Sequence, residues 1–393
     1  MRVLISGAGI AGLTLAYWLR HRGIEPVVVE RAPNGRMGGY AVDFFGTGYD
    51  VVERMGILDR LRSHRLPIDR VEFVGAPGRP GTRMSEALLG RVYHGPYLPL
   101  MHSTLEATLL DAVADVEIRY ADSIAEVDDT GADVEVGFAS GGSERFDLLV
   151  GADGIHSLTR ELVFGPESRF LRPVGCSLAS YPVTDRYNWG RMRAHYTEPG
   201  RQVAVYPSDE RGKLIALLVF RSPHNENVPR GLRTDLLRTR FGGMGWLTSA
   251  LLAEAPAGES VFMDRMAQIV MPSWHRGRVA LIGDACGSMT LVSAQGVSMA
   301  MAGAYILAEE LASDAGHERA FARYQARMYP EVRRRQNNAL LYARLLVPAT
   351  PAGVTAQSLV SRVLARQAFA PLLRRQFGSE SILLPASAEL GRG

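Results

Sequence analysis

Residues 2–30 constrain the fold more than any other stretch of the chain. An apolar strand at 2–6 runs into a glycine turn at 7–12, an apolar helix follows, and a second apolar strand ends at Glu30. This order, with an acid closing the second strand, is typical of the β-α-β unit that binds dinucleotides. The pattern therefore predicts an α/β protein built on a Rossmann-like domain.

Each position of the turn has a separate role. Gly7 lets the chain turn tightly out of the strand, Gly9 lets backbone amides approach a pyrophosphate, and Gly12 lets the helix pack against the sheet. Ile10 and Ala11 begin the helix, whose free N–H groups and positive dipole end are expected to face the phosphates. The turn therefore predicts a phosphate site at the start of the first helix.

Glu30 follows Gly12 by eighteen residues, close to the spacing at which a carboxylate accepts both hydroxyls of an adenosine ribose. A carboxylate at this place also favours a ribose without a phosphate group. The adenosine belongs to FAD or to NAD, and residues 2–30 do not distinguish them.

Composition excludes several classes of protein. With 393 residues, 47% hydrophobic and 22% charged, the chain has the composition of an ordinary globular protein with a large core. A net charge of +3 and the absence of a recognised module argue against nucleic-acid binding. Cys176 and Cys286 lie far apart without metal-ligand spacing, and no apolar run has membrane length. We expect a cytoplasmic protein with no metal and no membrane contact, either a monomer or a homodimer.

Two later segments identify a family. A buried strand at 146–150 precedes Asp153-Gly154, with Ser157 and Arg160 completing Asp-Gly-x-x-Ser-x-x-Arg, and a strand at 278–282 precedes Gly283-Asp284-Ala285-Cys286. With the first turn and the Glu30-Arg31 pair, these segments resemble the three signatures of the FAD-dependent aromatic-hydroxylase family. These are the group A flavoprotein monooxygenases, which are similar to p-hydroxybenzoate hydroxylase. The resemblance covers residues 3 to about 305.

The resemblance implies FAD as the cofactor, with Asp284 binding its ribityl chain. NAD(P)H is the implied co-substrate, and it must reach the flavin without a domain of its own because no second Gly-x-Gly-x-x-Gly is present. The predicted cofactor-binding residues are Gly7, Gly9, Ile10, Ala11, Gly12, Glu30, Arg31, Arg36, His102, Asp153, Asp284, Gly296 and Val297.

Two positions depart from the pattern of the family. His102 stands where an Arg is usual, at the start of a helix that Ser103 and Glu106 are expected to cap. The loop at 287–296 lacks the usual Pro and Gly-x-Gly spacing. We still expect FAD to bind, while the altered loop leaves oxygen activation open.

Strand and helix patterns predict a discontinuous FAD-binding domain at 1–67, 101–170 and 275–345. The insertions at 68–100 and 171–274 are predicted to form a β-sheet substrate domain, and 346–393 a C-terminal helical segment. In its length the chain resembles the short members of the family, which include tetracycline-modifying and polyketide-tailoring enzymes.

The implied reaction is hydroxylation or oxidation of a hydrophobic aromatic or polyketide-like compound by NAD(P)H and O2, through a flavin C4a-hydroperoxide. An alternative is a non-redox natural-product cyclase with FAD as a structural cofactor, and a third is a flavin-linked dehydrogenase or a binding module. The flavin carries the chemistry, so the sequence identifies no catalytic base. His94, His102 and Tyr206 are possible polar contacts, although a lone His or Tyr is more often structural.

Overall fold

The structure is a computed structural model that describes residues 1–33, 40–75, 81–85, 88, 97–186, 188–189, 191–222, 228–290, 295–313, 316–365 and 381–383. Its strands, numbered in chain order, are β1 Arg2–Ser6, β2 Glu25–Glu30, β3 Ala41–Phe45, β4 Arg70–Val74, β5 Thr82–Ser85, β6 Tyr97–Met101, β7 Glu117–Tyr120, β8 Ile124–Asp129, β9 Val134–Phe138, β10 Ser143–Phe146, β11 Leu148–Gly151, β12 Leu171–Thr184, β13 Met192–Glu198, β14 Arg201–Pro207, β15 Lys213–Arg221, β16 Phe262–Ile269, β17 His275–Arg276 and β18 Val279–Leu281. Its α-helices are α1 Ile10–His21, α2 Thr47–Arg54, α3 Leu58–Ser63, α4 His102–Ala112, α5 Leu158–Phe164, α6 Arg233–Phe241, α7 Thr248–Ala253, α8 Asp284–Gly287, α9 Gly296–Leu311, α10 His317–Leu346 and α11 Pro351–Leu364.

A six-stranded sheet in the order β17-β18-β11-β1-β2-β7 carries the glycine turn. It is parallel from β18 to β7, and β17 pairs antiparallel at one edge. Val3, Leu4 and Ile5 of β1 are fully buried, as expected for a continuous apolar strand covered on both faces. Because parallel strands end at the same edge, the segments that follow β1, β11 and β18 meet there.

A seven-stranded sheet in the order β16-β12-β15-β14-β13-β4-β5 forms the second unit. Its neighbours pair antiparallel except β13 and β4, which are parallel. Alternate residues of its strands pack against α6 and α7 in a second hydrophobic core, to which α6 contributes Leu237 and Phe241. The other set of alternate residues is left to face the six-stranded sheet.

The intermediate segments divide between the two units. β4 and β5 join the seven-stranded sheet, whereas β6 pairs with β3, and its Leu98 and Leu100 belong to the core of the six-stranded unit. The sequence pattern assigned all of residues 68–100 to the β-sheet substrate domain, whereas residues 97–100 pair with β3 outside the seven-stranded sheet. The long helix α10 contains Pro330 and ends at Leu346, close to the space between the sheets. None of the described helices combines the length and apolar character needed to cross a bilayer.

Candidate active site

A cavity of about 420 Å³ lies between the two sheets. On the side of the six-stranded sheet its wall contains eleven of the predicted cofactor-binding residues, namely Gly7, Gly9, Ile10, Ala11, Glu30, Arg31, His102, Asp153, Asp284, Gly296 and Val297. Gly12 lies behind this wall, and Arg36 lies outside the described residues. One space thus joins segments that are separated by almost 300 residues in the sequence.

The glycine turn is sterically closed on one side and open on the other. Gly7 has φ +108°, and a Cβ there would lie 2.6 Å from the Ala152 carbonyl oxygen. A Cβ on Gly12 would lie 1.9 Å from the Gly7 carbonyl oxygen, so the helix can approach the turn only without a side chain. Gly9 borders the cavity, where a Cβ would come no closer than 3.9 Å to the Glu106 carboxylate. The first amides of α1 therefore border open space, and the helix geometry leaves them without intrahelical partners.

The carboxylate of Glu30 is fixed at the end of β2 by two backbone amides. Oε2 accepts a hydrogen bond from the Ala8 amide and Oε1 accepts one from the Ala32 amide, both at 2.9 Å. Each carboxylate oxygen can accept a further hydrogen bond, so ribose hydroxyls can be bound without breaking these contacts. Glu30 is thus a preorganised acceptor beside the glycine turn.

Helix α4 differs from the capping prediction. It begins at His102 rather than after Ser103, and its N-cap, Met101, has no side-chain cap. Glu106 instead lies 3.5 Å from the His102 imidazole, and both residues line the cavity. The capping-box interpretation was therefore wrong, and Glu106 is a residue of the cavity wall that sequence reasoning missed.

Asp153 connects two of the signature segments to the cavity. Its Oδ2 accepts hydrogen bonds from the amide and the hydroxyl of Thr159, both at 2.9 Å. Oδ1 is buried and has no hydrogen-bond partner in the part of the chain that the structure describes. Arg160, fully buried, donates to the Ala285 carbonyl oxygen at 3.0 Å and so ties this segment to the Asp284 loop. A carboxylate oxygen left without a donor at a cavity wall suits a hydroxylated ligand.

Asp284 begins the short helix α8 after a left-handed turn. Gly283 has φ +59°, and a Cβ there would lie 2.9 Å from the Cβ of Ala11, which brings this turn close to α1. Helix α9 follows and begins at Gly296, where a Cβ would meet nothing within 4 Å. The sixteen residues of α9 direct a second positive helix terminus at the cavity, in addition to that of α1.

The opposite wall is the free face of the seven-stranded sheet, and it carries a polar corner of which the sequence analysis named only Tyr206; His94, another possible contact, lies outside the described residues. Arg193 Nη1 donates to Asp43 Oδ2 at 2.8 Å, and the Tyr97 hydroxyl donates to Asp43 Oδ1 at 2.6 Å. The guanidinium of Arg193 also lies 5.4 Å from the ring centroid of Tyr206. His195 is two residues along β13, stacked on the ring of Phe73 at 5.3 Å. The alternation in β13 could have identified this face, since Arg193 and His195 alternate with the buried Ala194 and Tyr196.

Burial and charge set the protonation states of this corner. Burial alone would raise the pKa of Asp43, but the charge and hydrogen bond of Arg193, with the hydrogen bond of Tyr97, lower it overall. Burial, and then the charge of Arg193, lower the pKa of His195 to about 4. Burial raises the pKa of Tyr206 to about 12. At neutral pH the corner therefore holds an ion pair beside a neutral imidazole.

Comparisons with known proteins agree with these features. A family model described as an FAD binding domain matches residues 1–337. A flavin-dependent monooxygenase from an unknown prokaryotic organism is 32% identical over 337 residues, covering 85% of this chain and 87% of that protein. A flavin-dependent monooxygenase of Legionella longbeachae is 31% identical over 329 residues, covering 83% and 84%. The crystal structure of tetracycline destructase Tet(55) is similar with a TM-score of 0.82 and 28% identity, covering 98% of each chain.

Proposed function

The chain belongs to the family of FAD-dependent monooxygenases, and from that premise we propose that it uses NAD(P)H and O2 to hydroxylate a hydrophobic aromatic or polyketide-like compound. The observation that carries this proposal is the shared cavity. One wall contains the glycine turn, Glu30, Asp153 and Asp284, which would supply the phosphate, ribose and ribityl contacts of a dinucleotide, and the other wall is a sheet face that could bind a flat apolar molecule.

We propose that the side of the six-stranded sheet holds FAD. The amides of Ile10 and Ala11 would bind the pyrophosphate, with Gly9 allowing its approach, and Glu30 would accept the ribose hydroxyls. The oxygens of Asp153 and Asp284 would accept hydroxyls of the chain between the phosphates and the ring. The remaining predicted residues, Arg31, Arg36, His102, Gly296 and Val297, stay proposals for the same role. The orphaned Oδ1 of Asp153 and the open approach to Gly9 both fit such a ligand.

Bound FAD would supply the electron transfer from NAD(P)H and the activation of oxygen, and the chain must then exclude water and hold the substrate. The positive terminus of α9 would stabilise negative charge on a ring beside Gly296. The apolar part of the opposite wall, which would contact the substrate rings, comprises Leu178, Ala204, Leu217, Val219, Met266 and Leu346. Tetracycline destructase Tet(55), which has a similar fold, is named for its action on tetracycline, a polycyclic polyketide, and this supports a substrate of that class.

The polar corner would hold a substrate hydroxyl. Nε2 of Gln202 donates to the Thr197 hydroxyl at 2.9 Å and to the Leu346 carbonyl oxygen at 3.1 Å. These two contacts identify the remaining side-chain atom of Gln202 as the oxygen Oε1, an acceptor. His195 Nδ1, 3.4 Å from that oxygen, must therefore donate to it. Nε2 of His195 is left as an acceptor, able to accept a hydrogen bond from the hydroxyl of a phenol or enol, while Arg193 can donate one to the same oxygen.

We propose the domain division that the sequence predicts, with the six-stranded unit holding FAD and the seven-stranded unit covering the substrate. The proposal departs from the predicted bounds only at residues 97–100, which we assign to the first unit; the pairing of β6 with β3 supports this assignment. We also propose a cytoplasmic location, supported by Cys176 and Cys286, which are buried and free of any disulfide.

The test is spectroscopic. Purified protein should be yellow, should bleach with NADH or NADPH under anaerobic conditions, and should consume O2 when an aromatic substrate is added. Tetracycline is the first compound to assay, with loss of its absorbance as the readout. A flavin that binds but resists reduction with every substrate would contradict the monooxygenase and favour the cyclase alternative. The monooxygenase names of the relatives weigh against that alternative.

A further inference from the structure

A second cavity, of about 930 Å³, adjoins the first and shares part of its wall, including Tyr40, Asp264 and Asp284. It continues around the edge strand β16 of the seven-stranded sheet to the helical segment that contains Arg230 and α6. A long ligand could therefore lie with one end at the flavin site and the other against this segment.

Three arginines, Arg230, Arg233 and Arg240, line the far part of this cavity. None forms an ion pair with a carboxylate in the described part of the chain. Arg238, on the same helix but outside the cavity wall, pairs with Asp235 at 3.4 Å. Among the arginines of residues 230–240, those that line the cavity are thus the ones without an ion pair.

The cluster has properties of an anion site. Burial, and then the charge of Arg230, lower the pKa of Arg233, which shows that the two cations repel each other in a partly desolvated place. Asp264 offsets part of this repulsion. The Arg233 Nη1 donates to the Val261 carbonyl oxygen at 2.8 Å, while its buried Nε has no partner among the described residues. Bound phosphate groups would relieve the repulsion and accept the remaining donors.

An aromatic pair lies between the arginines and the flavin site. Phe262 is 37% exposed, a large value for a phenylalanine on a strand, and its ring centroid is 5.8 Å from that of Tyr40. Both residues line the cavity. Exposed aromatic faces of this kind bind the flat bases of nucleotides by stacking.

We propose that Arg230, Arg233 and Arg240 bind the phosphates of NAD(P)H and that Phe262 stacks on one of its bases. This rests on the proposed function, which requires a pyridine nucleotide to reach the flavin. The sequence contains one dinucleotide turn, and FAD is assigned to it, so the nucleotide needs another cationic site. The cavity lies within the size range of small-molecule sites, and it shares with the first cavity the residues Glu30, Asp153 and Asp284, which are assigned to the ribose and the ribityl chain of FAD.

The experiment compares the holoenzyme with Arg230→Gln/Arg233→Gln and with the matched control Arg238→Gln. Calorimetric titration with NADP+, which cannot reduce the flavin, should show at least about a tenfold increase in Kd for the double variant and less than a twofold change for the control. Anaerobic stopped-flow reduction should show the same increase in the apparent Kd of NAD(P)H with an unchanged limiting rate. Reduction by dithionite should be unaffected. Arg230→Lys/Arg233→Lys, which keeps both charges, should retain most of the affinity, and a native flavin absorbance spectrum of the double Gln variant shows that it is folded.

Other outcomes overturn the assignment. An unchanged Kd in the double variant, or an equal loss in Arg238→Gln, would show that the cluster does not bind the nucleotide. Titration with inorganic pyrophosphate separates two sources of phosphate: binding of pyrophosphate without binding of NADP+ would contradict the nucleotide assignment. If NADP+ binds through the arginines but neither NADH nor NADPH reduces the flavin, the docking site stands and the proposed monooxygenase reaction fails.

Discussion

The ion pair between Arg193 and Asp43 allows a quantitative test of the polar corner. Its side chains are only 12% and 16% exposed, and their charged atoms lie 2.8 Å apart. At an effective dielectric constant of about 20, this distance gives an attraction of about 6 kcal/mol, which is largely offset by the desolvation of both ions. The pair therefore adds little net stability over an apolar pair, but breaking it leaves a buried charge.

The two single substitutions should differ. Asp43→Asn leaves the guanidinium of Arg193 buried and unable to lose its proton, so we expect a loss of about 3–5 kcal/mol in the free energy of unfolding. Arg193→Met leaves Asp43 able to take up a proton and to keep the hydrogen bond of Tyr97, so its loss should be smaller. The double variant should be less destabilised than Asp43→Asn alone, giving a coupling energy of at least about 2 kcal/mol.

A pair at the surface supplies the control. Arg191 and Asp69 are joined by two hydrogen bonds just outside the same strands, but their side chains are 68% and 44% exposed. The corresponding cycle should give a coupling below about 1 kcal/mol. Urea unfolding would be measured by circular dichroism and by tryptophan fluorescence at one fixed excess of FAD, since bound ligand adds to stability. Additive effects at Arg193 and Asp43, or equal coupling in both cycles, would refute the reasoning.

Three further predictions concern the cofactor and the pH dependence. Gly12→Ala should purify without FAD, because its Cβ would lie 1.9 Å from a backbone oxygen; a yellow variant with native absorbance would contradict this. Asp284→Ala should lower the flavin content at saturation and raise the Kd of FAD, measured by quenching of flavin fluorescence, and an unchanged Kd would remove Asp284 from the site. The unfolded chain protonates His195 near pH 6.5 and the folded chain only at about pH 4, so the free energy of unfolding of the wild type should decrease by at most about 3 kcal/mol as the pH is lowered between these values. His195→Gln should remove this decrease. Parallel pH profiles for both proteins would show that folding does not lower the pKa of His195.

The sequence predicted the fold class and the family because their signals are local. The glycine turn, Glu30, the segment at Asp153 and the strand before Asp284 each depend on spacings within about twenty residues, and their meeting at one edge follows from parallel pairing. Family membership and the use of FAD are confirmed by the comparisons. The roles of the individual cofactor residues stay predictions.

The polar corner was not predicted because it depends on register between distant segments. Arg193 meets Asp43 across 150 residues, and this requires β13 to lie between β14 and β4. A shift of one residue in β13 would turn Arg193 and His195 away from the cavity. The spacing of Ser103 and Glu106 fits a capping box as well as it fits a cavity-lining Glu106. Only the observed start of α4 at His102 distinguishes the two.

The charge balance of the corner makes a last prediction about the substrate. Asp43 already neutralises Arg193, and His195 is neutral, so a carboxylate placed here would add a negative charge with no counter-ion of its own. A phenol or enol enters uncharged and meets an acceptor at His195 Nε2 and a donor at Arg193. We therefore expect 2-naphthol to perturb the flavin absorbance at lower concentration than 2-naphthoate, and Asp43→Asn to reverse this order by leaving Arg193 without its partner. If 2-naphthoate binds more tightly to the wild-type protein, then Asp43 does not compensate the charge of Arg193, and the oxygen of the substrate is held elsewhere.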